Sequence, residues 1–219
     1  MAHSPVLGQG PIAIPGFRFI GIAGALTLLC WLLDFPLLAF LGCLATGFLV
    51  YFFRNPERTI PGDPALIVAP ADGKVIRVDE GQSHELLPGP ATRVAIFMNV
   101  FDVHVNRAPV AGRVLRTRHQ PGRFLAAFKD EAVTANEQFA TLWETPDGRQ
   151  VLTVQIAGLL ARRIVPAVKE GDRLDKGAPF GMICFGSRVD LYLPPQCDIM
   201  VNTGDRVKAG ESPVARWSG

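Results

Sequence analysis

Charge is what the opening stretch of this sequence lacks. Between Met1 and Phe53 only Arg18 and Asp34 carry one, whereas about a quarter of the later residues are Lys, Arg, Asp or Glu, the usual share of a globular domain. Cysteine is scarce as well. Cys30, Cys43, Cys184 and Cys197 are the only four in 219 residues, with no C-x-x-C and no Cys/His spacing. That excludes a disulfide scaffold and signals neither zinc nor redox chemistry, so no metal is expected. The four read as buried thiols in a reducing compartment. An excess of one sign of charge is missing too: 22 basic residues are interleaved with 20 acidic ones, which argues against a nucleic-acid partner. A hydrophobic content of 48% excludes disorder.

The apolar excess lies at the front. Residues 1–16 form a tail, and residues 17–53 read FRFIGIAGALTLLCWLLDFPLLAFLGCLATGFLVYFF, divided by Asp34 and Pro36. The arm Phe19–Leu33 would reach about 22 Å as a helix and Phe35–Phe53 about 28 Å, against a bilayer core of about 30 Å. A helical hairpin with Asp34-Phe35-Pro36 at its tip fits, either crossing the membrane or lying in it. Arg18 before it, and Arg54 and Arg58 after it, place the main domain on the cytoplasmic side of a cell membrane. A signal peptide is disfavoured because no Lys or Arg precedes the run and no A-x-A site follows. A hairpin buried in the globular core would strand a very long apolar stripe.

Residues 54–219 read as one domain, mainly β. Ala65–Ala69, Lys74–Val78, Arg93–Val105, Arg113–Arg118, Phe139–Glu144, Val151–Ile156 and Arg188–Leu193 are β-branched or alternating. Turns such as Pro70-Ala71-Asp72-Gly73 and Pro146-Asp147-Gly148 separate them. Phe124–Asn136 is the one plausible helix or long loop. Gly171-Asp172-Arg173-Leu174-Asp175-Lys176-Gly177 is repeated as Gly204-Asp205-Arg206-Val207-Lys208-Ala209-Gly210. Each copy supplies a Gly-Asp turn, one inward apolar residue and a Gly where the chain reverses. Two such copies suggest the quasi-symmetric hammerheads of a barrel-sandwich β fold, as in biotinyl and lipoyl domains. A swinging-arm carrier would need a Lys between the copies, and Ala178–Thr203 has none.

Between the copies stands Phe185-Gly186-Ser187-Arg188-Val189-Asp190-Leu191-Tyr192-Leu193. Val189, Leu191 and Leu193 alternate inward, which places Ser187 at the start of a strand, after a Gly whose carbonyl no Cβ shields. A Ser hydroxyl there is able to attack that carbonyl if a base takes its proton. The best base is His104 in Met98-Asn99-Val100-Phe101-Asp102-Val103-His104-Val105-Asn106-Arg107. On one strand, Asp102, His104 and Asn106 share a face, and His104 has a pKa near working pH. The plainer reading is a half-exposed structural His. Asp72 is, equally plainly, a turn residue capping local N–H groups, while His3, His84 and His119 lie in loops or beside a turn.

Together these residues resemble the short prokaryotic type of phosphatidylserine decarboxylase proenzyme. The matching segments are FFRNPERTIP (Phe52–Pro61), APADGKV (Ala69–Val75), FMNVFDVHVNRAPVAG (Phe97–Gly112), PGRFLAAF (Pro121–Phe128), ANEQ (Ala135–Gln138), GLLARRIVP (Gly158–Pro166), EGDRLDKGAPFGMICFGSRVDLYLP (Glu170–Pro194) and the terminal GDRVKAGES. They run in family order over nearly the whole chain. The resemblance implies a membrane-anchored, pyruvoyl-dependent carboxy-lyase that converts phosphatidylserine to phosphatidylethanolamine. It implies serinolysis between Gly186 and Ser187, giving a β chain 1–186 and an α chain 187–219 that stay associated, with Ser187 becoming the pyruvoyl cofactor. That ketone would accept the electrons left by CO₂ loss, as pyridoxal phosphate does. The processing triad maps onto Asp72, His104 and Ser187, with Asp72 orienting the imidazole and Asp102 a rival on proximity alone. The longer bacterial branch carries a further His three residues before the triad His. Phe101 stands there in this chain, so His104 is expected to serve both processing and turnover. Gly122, Phe124, Asn136, Glu137, Arg162 and Arg163 lie in matching segments and are expected to line the headgroup site or a lipid-facing surface. For the Arg pair, an ordinary solvated turn is the alternative. Membrane lipid is the expected partner, and a further homo-oligomer stays open. The runner-up from another class is a non-enzymatic membrane-tethered adaptor on the same β fold.

Overall fold

The computed structural model describes residues 6–8, 10–122, 136–158, 164–184 and 187–218. It opens with two helices, α1 (Ile14–Leu32) and α2 (Pro36–Phe52). Pro15 and Pro36 sit at the first helical positions, where their missing N–H costs nothing. Asp34 makes the turn with φ of 63°, a conformation that Asp tolerates better than most side chains. The arms differ from the sequence expectation: the first is the longer, because the helix begins at Ile14 rather than in the run after Phe17. At 19 residues it is long and apolar enough to cross a membrane, and α2 at 17 is slightly shorter.

The two arms touch through small residues. A Cβ at Gly42 would sit 2.5 Å from Thr27 Oγ1, and the hydroxyls of Thr27 and Thr46 lie 3.4 Å apart, packing suited to helices that meet in lipid. Both remain exposed along most of their length, Leu37 at 70% for example. A helix that is apolar all round needs a partner for every face, and the described residues supply one only where the arms meet and at the foot of the hairpin. The alternative of a hairpin buried in the core is thereby excluded. The cysteine reading is corrected in the same region: Cys43 is exposed, Cys30 and Cys197 are half-buried, and only Cys184 is buried.

The rest is β. Among the described residues an eight-stranded antiparallel sheet runs in the order β13 (Arg206–Val207), β2 (Gly73–His84), β3 (Leu87–Met98), β11 (Ser187–Leu193), β7 (Gln150–Ile156), β6 (Gln138–Glu144), β5 (Gly112–Gln120), β9 (Arg173–Leu174). Two three-stranded sheets accompany it: β1 (Leu66–Val68), β14 (Pro213–Trp217), β12 (Cys197–Ile199), and β4 (Val105–Arg107), β10 (Pro179–Ile183), β8 (Ile164–Pro166). Val75, Ile96, Val189, Leu191 and Trp143 of the large sheet share one core with Ile67, Phe180, Val214 and Trp217 of the small ones. A second cluster seats Phe52 and Phe53 at the end of the hairpin on Val105 and Met182. Gly16 permits this seating, because a Cβ there would meet Phe53 at 2.5 Å.

The repeat forms the two edges of the large sheet. In β9, Leu174 pairs with Gly112; in β13, Val207 pairs with Gly73. Val114 donates to the Asp172 carbonyl and Val75 to that of Asp205. All four repeat glycines have positive φ, between 78° and 108°, which only Gly adopts without strain. The mainly β, hammerhead-like fold expected from sequence is the one observed.

One expectation about strands is corrected. Arg93–Val105 is not a single strand: β3 ends at Met98, and residues 99–104 leave the sheet. Asn99 causes the break, its Oδ1 accepting the Phe101 N–H at 2.8 Å while its own N–H donates to Asp102 Oδ2 at 2.9 Å. Asp102 and His104 therefore do not share a strand face. Of the predicted Phe124–Asn136 helix or loop, all but Asn136 lies outside the described residues.

Candidate active site

The register of the large sheet gathers the predicted residues at one of its ends. Ser187 begins β11 opposite Met98, the last residue of β3. Lys74 of β2 pairs with Phe97, so Asp72 lies at the same end, and a Cβ on Gly73 would collide with the Phe97 carbonyl at 2.1 Å. Ile156 of β7 faces both Arg188 and Gln138, which brings Asn136 and Glu137 there too. Gly122 joins them, its missing Cβ letting the Asn136 backbone approach. Phe124, Arg162, Arg163 and Gly186 lie outside the described residues. A cleft of about 620 Å³ lined by Arg113, Glu144 and Arg173 sits at the opposite end of β5 and β6 and takes no part.

Ser187 is fully buried, and its Oγ has no hydrogen-bond partner among the described residues. His104 is brought to the same neighbourhood from two sides. Its carbonyl accepts the Ile183 N–H at 3.3 Å, four residues before Ser187, and Asn106 two residues on reaches Met98 Sδ at 3.5 Å. The imidazole is fully buried and lies 4.2 Å, centroid to centroid, from the ring of Phe52 at the end of the hairpin. Its Nδ1 is 2.9 Å from the Asp102 carbonyl. A carbonyl only accepts, so Nδ1 carries the proton and Nε2 keeps its lone pair. Nε2 also has no partner. Burial pushes the pKa down to about 4, the Asp102 carbonyl opposing and Arg54 adding to the fall. This corrects two expectations: His104 is not half-exposed, and its pKa is not near neutrality.

Among the described residues Asp72 makes no hydrogen bond to the imidazole. Both of its oxygens lie 2.9 Å from Arg58 Nη2, and Oδ1 also accepts the Ala209 N–H at 2.8 Å. A carboxylate so occupied ties the 54–61 strap and the second repeat to the sheet end, and the hydrogen bond to the imidazole is made by the Asp102 carbonyl instead. The Asp102 carboxylate is in turn held by Arg206 at 2.6 Å. Asn136 is committed as well, donating to the Ala157 carbonyl at 2.7 Å, while the Glu137 carbonyl accepts the Ala157 N–H at 3.0 Å and its carboxylate meets His119 Nε2 at 2.9 Å.

Sequence reasoning missed Gln155. Its Nε2 donates to Asn106 Oδ1 at 2.7 Å, its Oε1 has no partner among the described residues, and it faces Val189 on the Ser187 side of the sheet. A Gln in the β-branched and aliphatic frame Val151–Ile156 was the available signal. Gly181 accommodates it, since a Cβ there would meet the amide at 2.8 Å.

Buried polar groups are nearly always hydrogen-bonded, and leaving one unpaired costs about 1–3 kcal/mol. A hydroxyl and an imidazole lone pair left bare at one end of a sheet define a protein equipped for nucleophilic chemistry within its own fold. The chain belongs to the phosphatidylserine decarboxylase family, whose model matches residues 45–215. It is 51% identical to the phosphatidylserine decarboxylase proenzyme of Syntrophus aciditrophicus over 94% of this chain and 97% of the relative. To that of Desulfotalea psychrophila it is 44% identical over 93% and 95%, and to that of Cereibacter sphaeroides 45% over 94% and 89%. Nothing in these likenesses supports the adaptor alternative.

Proposed function

We propose that this protein decarboxylates phosphatidylserine to phosphatidylethanolamine after making a pyruvoyl group from its own Ser187. The observation that carries the reading is the pair of bare atoms, Ser187 Oγ and His104 Nε2, buried at the same end of the sheet. Nε2 takes the hydroxyl proton, and Oγ attacks the Gly186 carbonyl, exchanging the Gly186–Ser187 C–N bond for an ester C–O bond. Loss of the Ser187 α-proton then expels the Gly186 carboxylate and leaves a dehydroalanine. Water replaces its nitrogen, which departs as ammonia. The resulting pyruvoyl carbonyl supplies the electron sink that no side chain offers for the pair left behind by CO₂.

The chain around Ser187 suits such a group. β11 lies between β3 and β7, so a new terminus at residue 187 would be held on both sides. The fragments would stay together because β11, β13 and β14 of the smaller pair with β3, β7, β2 and β1 of the larger. His104, neutral and free at Nε2, is the proton carrier in turnover as well. Asp72 contributes by fixing Arg58 and Ala209. Gly122, Asn136 and Glu137 shape the floor of the headgroup site. The hairpin holds the domain at the cytoplasmic face of the cell membrane, where a two-chain lipid stays.

Denaturing mass spectrometry of the full chain purified in detergent tests this. The expected result is two fragments, 1–186 and 187–219, the smaller without a free N-terminal amine. A chain that stays whole on long incubation overturns the reading.

The depressed pKa gives a pH prediction. Folding favours neutral His104, so between its ordinary value of 6.5 and about 4 the unfolded chain takes up a proton that the folded one refuses. The stability contributed by this group is complete above pH 6.5 and declines as the pH falls toward 4. The rate of self-cleavage, followed on freshly made precursor, should stay level from pH 8 to pH 5. An acid limb centred near pH 6.5 would contradict the burial of the base.

A further inference from the structure

We propose that the loop 99–104 is a second membrane contact, with Phe101 entering the lipid interface beside the hairpin. The inference rests on the reading of the hairpin as a membrane anchor, and the occupant it assigns to this surface is the lipid leaflet. Phe101 is 63% exposed, whereas Asp102, Val103 and His104 after it are buried. The ring is not on a slack loop. The Phe101 N–H donates to Asn99 Oδ1 at 2.8 Å, and the Asp102 N–H donates to the Asn99 carbonyl at 3.1 Å. The Phe101 carbonyl accepts from Tyr51 Oη at 3.0 Å and from Arg54 Nη2 at 2.7 Å. Two side chains at the end of the hairpin thus pin the backbone of an exposed phenyl group.

What surrounds it indicates depth. The Arg54 guanidinium lies 3.8 Å from the centroid of the Tyr51 ring, and that of Arg18, at the base of the other arm, 4.5 Å from the Phe19 ring. Aromatic rings beside cations, at the foot of helices that are apolar and exposed all round, mark the level where acyl chains give way to headgroups. Arg18 and Arg54 there favour an anionic leaflet. Phe101 is tied to that level by its carbonyl, and its apolar surface continues that of the hairpin. The Asp102 carbonyl that orients His104 Nδ1 belongs to the same loop. Seating Phe101 in lipid therefore also fixes the height of the imidazole above the leaflet.

A tryptophan at residue 101 reads this directly. Trp31 is replaced by Phe because it is exposed on α1; Trp143 and Trp217 are buried and serve as a common baseline. The full chain with Trp31→Phe and Phe101→Trp is reconstituted into phosphatidylcholine/phosphatidylglycerol vesicles, and the Trp31→Phe chain is subtracted. The expected difference signal is quenched by lipid brominated near the start of the acyl chain and shielded from aqueous acrylamide. Quenching by acrylamide without quenching by brominated lipid overturns the proposal. Shielding from both also overturns it, as that is the mark of a second copy of the chain covering the loop. The readout needs neither cleavage nor turnover, so its failure is distinguishable from failure of the decarboxylase reading. In an active preparation, Phe101→Ser should raise the apparent KM for vesicle-borne substrate on the order of ten-fold, the equivalent of losing one buried aromatic side chain.

Discussion

Chains carrying Ser187→Ala are expected to remain single 219-residue polypeptides without decarboxylase activity, and to be at least as stable as the freshly made, uncleaved precursor of the parent. The first half follows from the chemistry: without Oγ no ester forms, and without the ester there is no new terminus to carry the ketone. The second follows from burial. Ser187 Oγ is fully enclosed with no partner, so the folded state bears its desolvation, about 1–3 kcal/mol, and deleting the hydroxyl relieves that cost. Activity and stability thus move in opposite directions, as when a strained group is kept for its chemistry. Mass spectrometry gives the first readout and thermal unfolding in detergent the second. Cleavage in the variant, or a clearly lowered Tm, would show that Ser187 is held for structural reasons. His104→Ala should slow cleavage by about 10²–10⁴-fold, the usual worth of a positioned general base, and unaltered cleavage would move that role elsewhere.

The parts legible in the sequence were those with a local cause. Four glycines that must turn with positive φ announced both edges of the large sheet. An apolar run divided by Asp34 and Pro36 announced the hairpin, although the first helix begins at Ile14, earlier than the composition indicates. What was not legible depended on residues far apart in the chain. Asp72 read from its own surroundings as a turn residue, and from the resemblance as the group orienting a histidine, because nothing local shows Arg58 and Ala209 reaching its carboxylate. His104 looked half-exposed because Asn99, which turns the chain inward ahead of it, sits in a β-rich frame. Its pKa could not be read either, since the depression comes from enclosure that includes Phe52 of the hairpin. Val189, Leu191 and Leu193 were read as the inward residues of a strand, but β11 lies in mid-sheet and all seven of its residues are buried.

That double burial underlies the second large effect. Arg188 and Asp190 are both fully enclosed, joined at Nη2–Oδ2 by 2.9 Å and again through Nε. Arg93 approaches Asp190 at 3.9 Å and is itself paired with Asp79. Burial pushes the Asp190 carboxyl up, while Arg188 and Arg93 oppose the rise. A lone charge left here would be costly. Asp190→Ala is expected to destabilise the protein by about 3–5 kcal/mol, a large part of the 5–15 kcal/mol by which a typical domain is stable. It strands Arg188, whose Nη1 already lacks a partner. The double variant Arg188→Met/Asp190→Leu removes both charges and keeps most of the volume, so it should recover most of that loss. Urea unfolding of the three proteins gives the comparison. If the double variant falls as far as Asp190→Ala, the side chains are needed for their shape or their bonds to the strand rather than as a balanced pair. Since Arg188 directly follows the serine, a stable double variant also shows whether register at the start of β11 depends on the pair. Cleavage at the parent rate would mean that β3 and β7 alone hold Ser187 in place. Slowed cleavage in a fully folded protein would assign the ion pair to positioning the nucleophile.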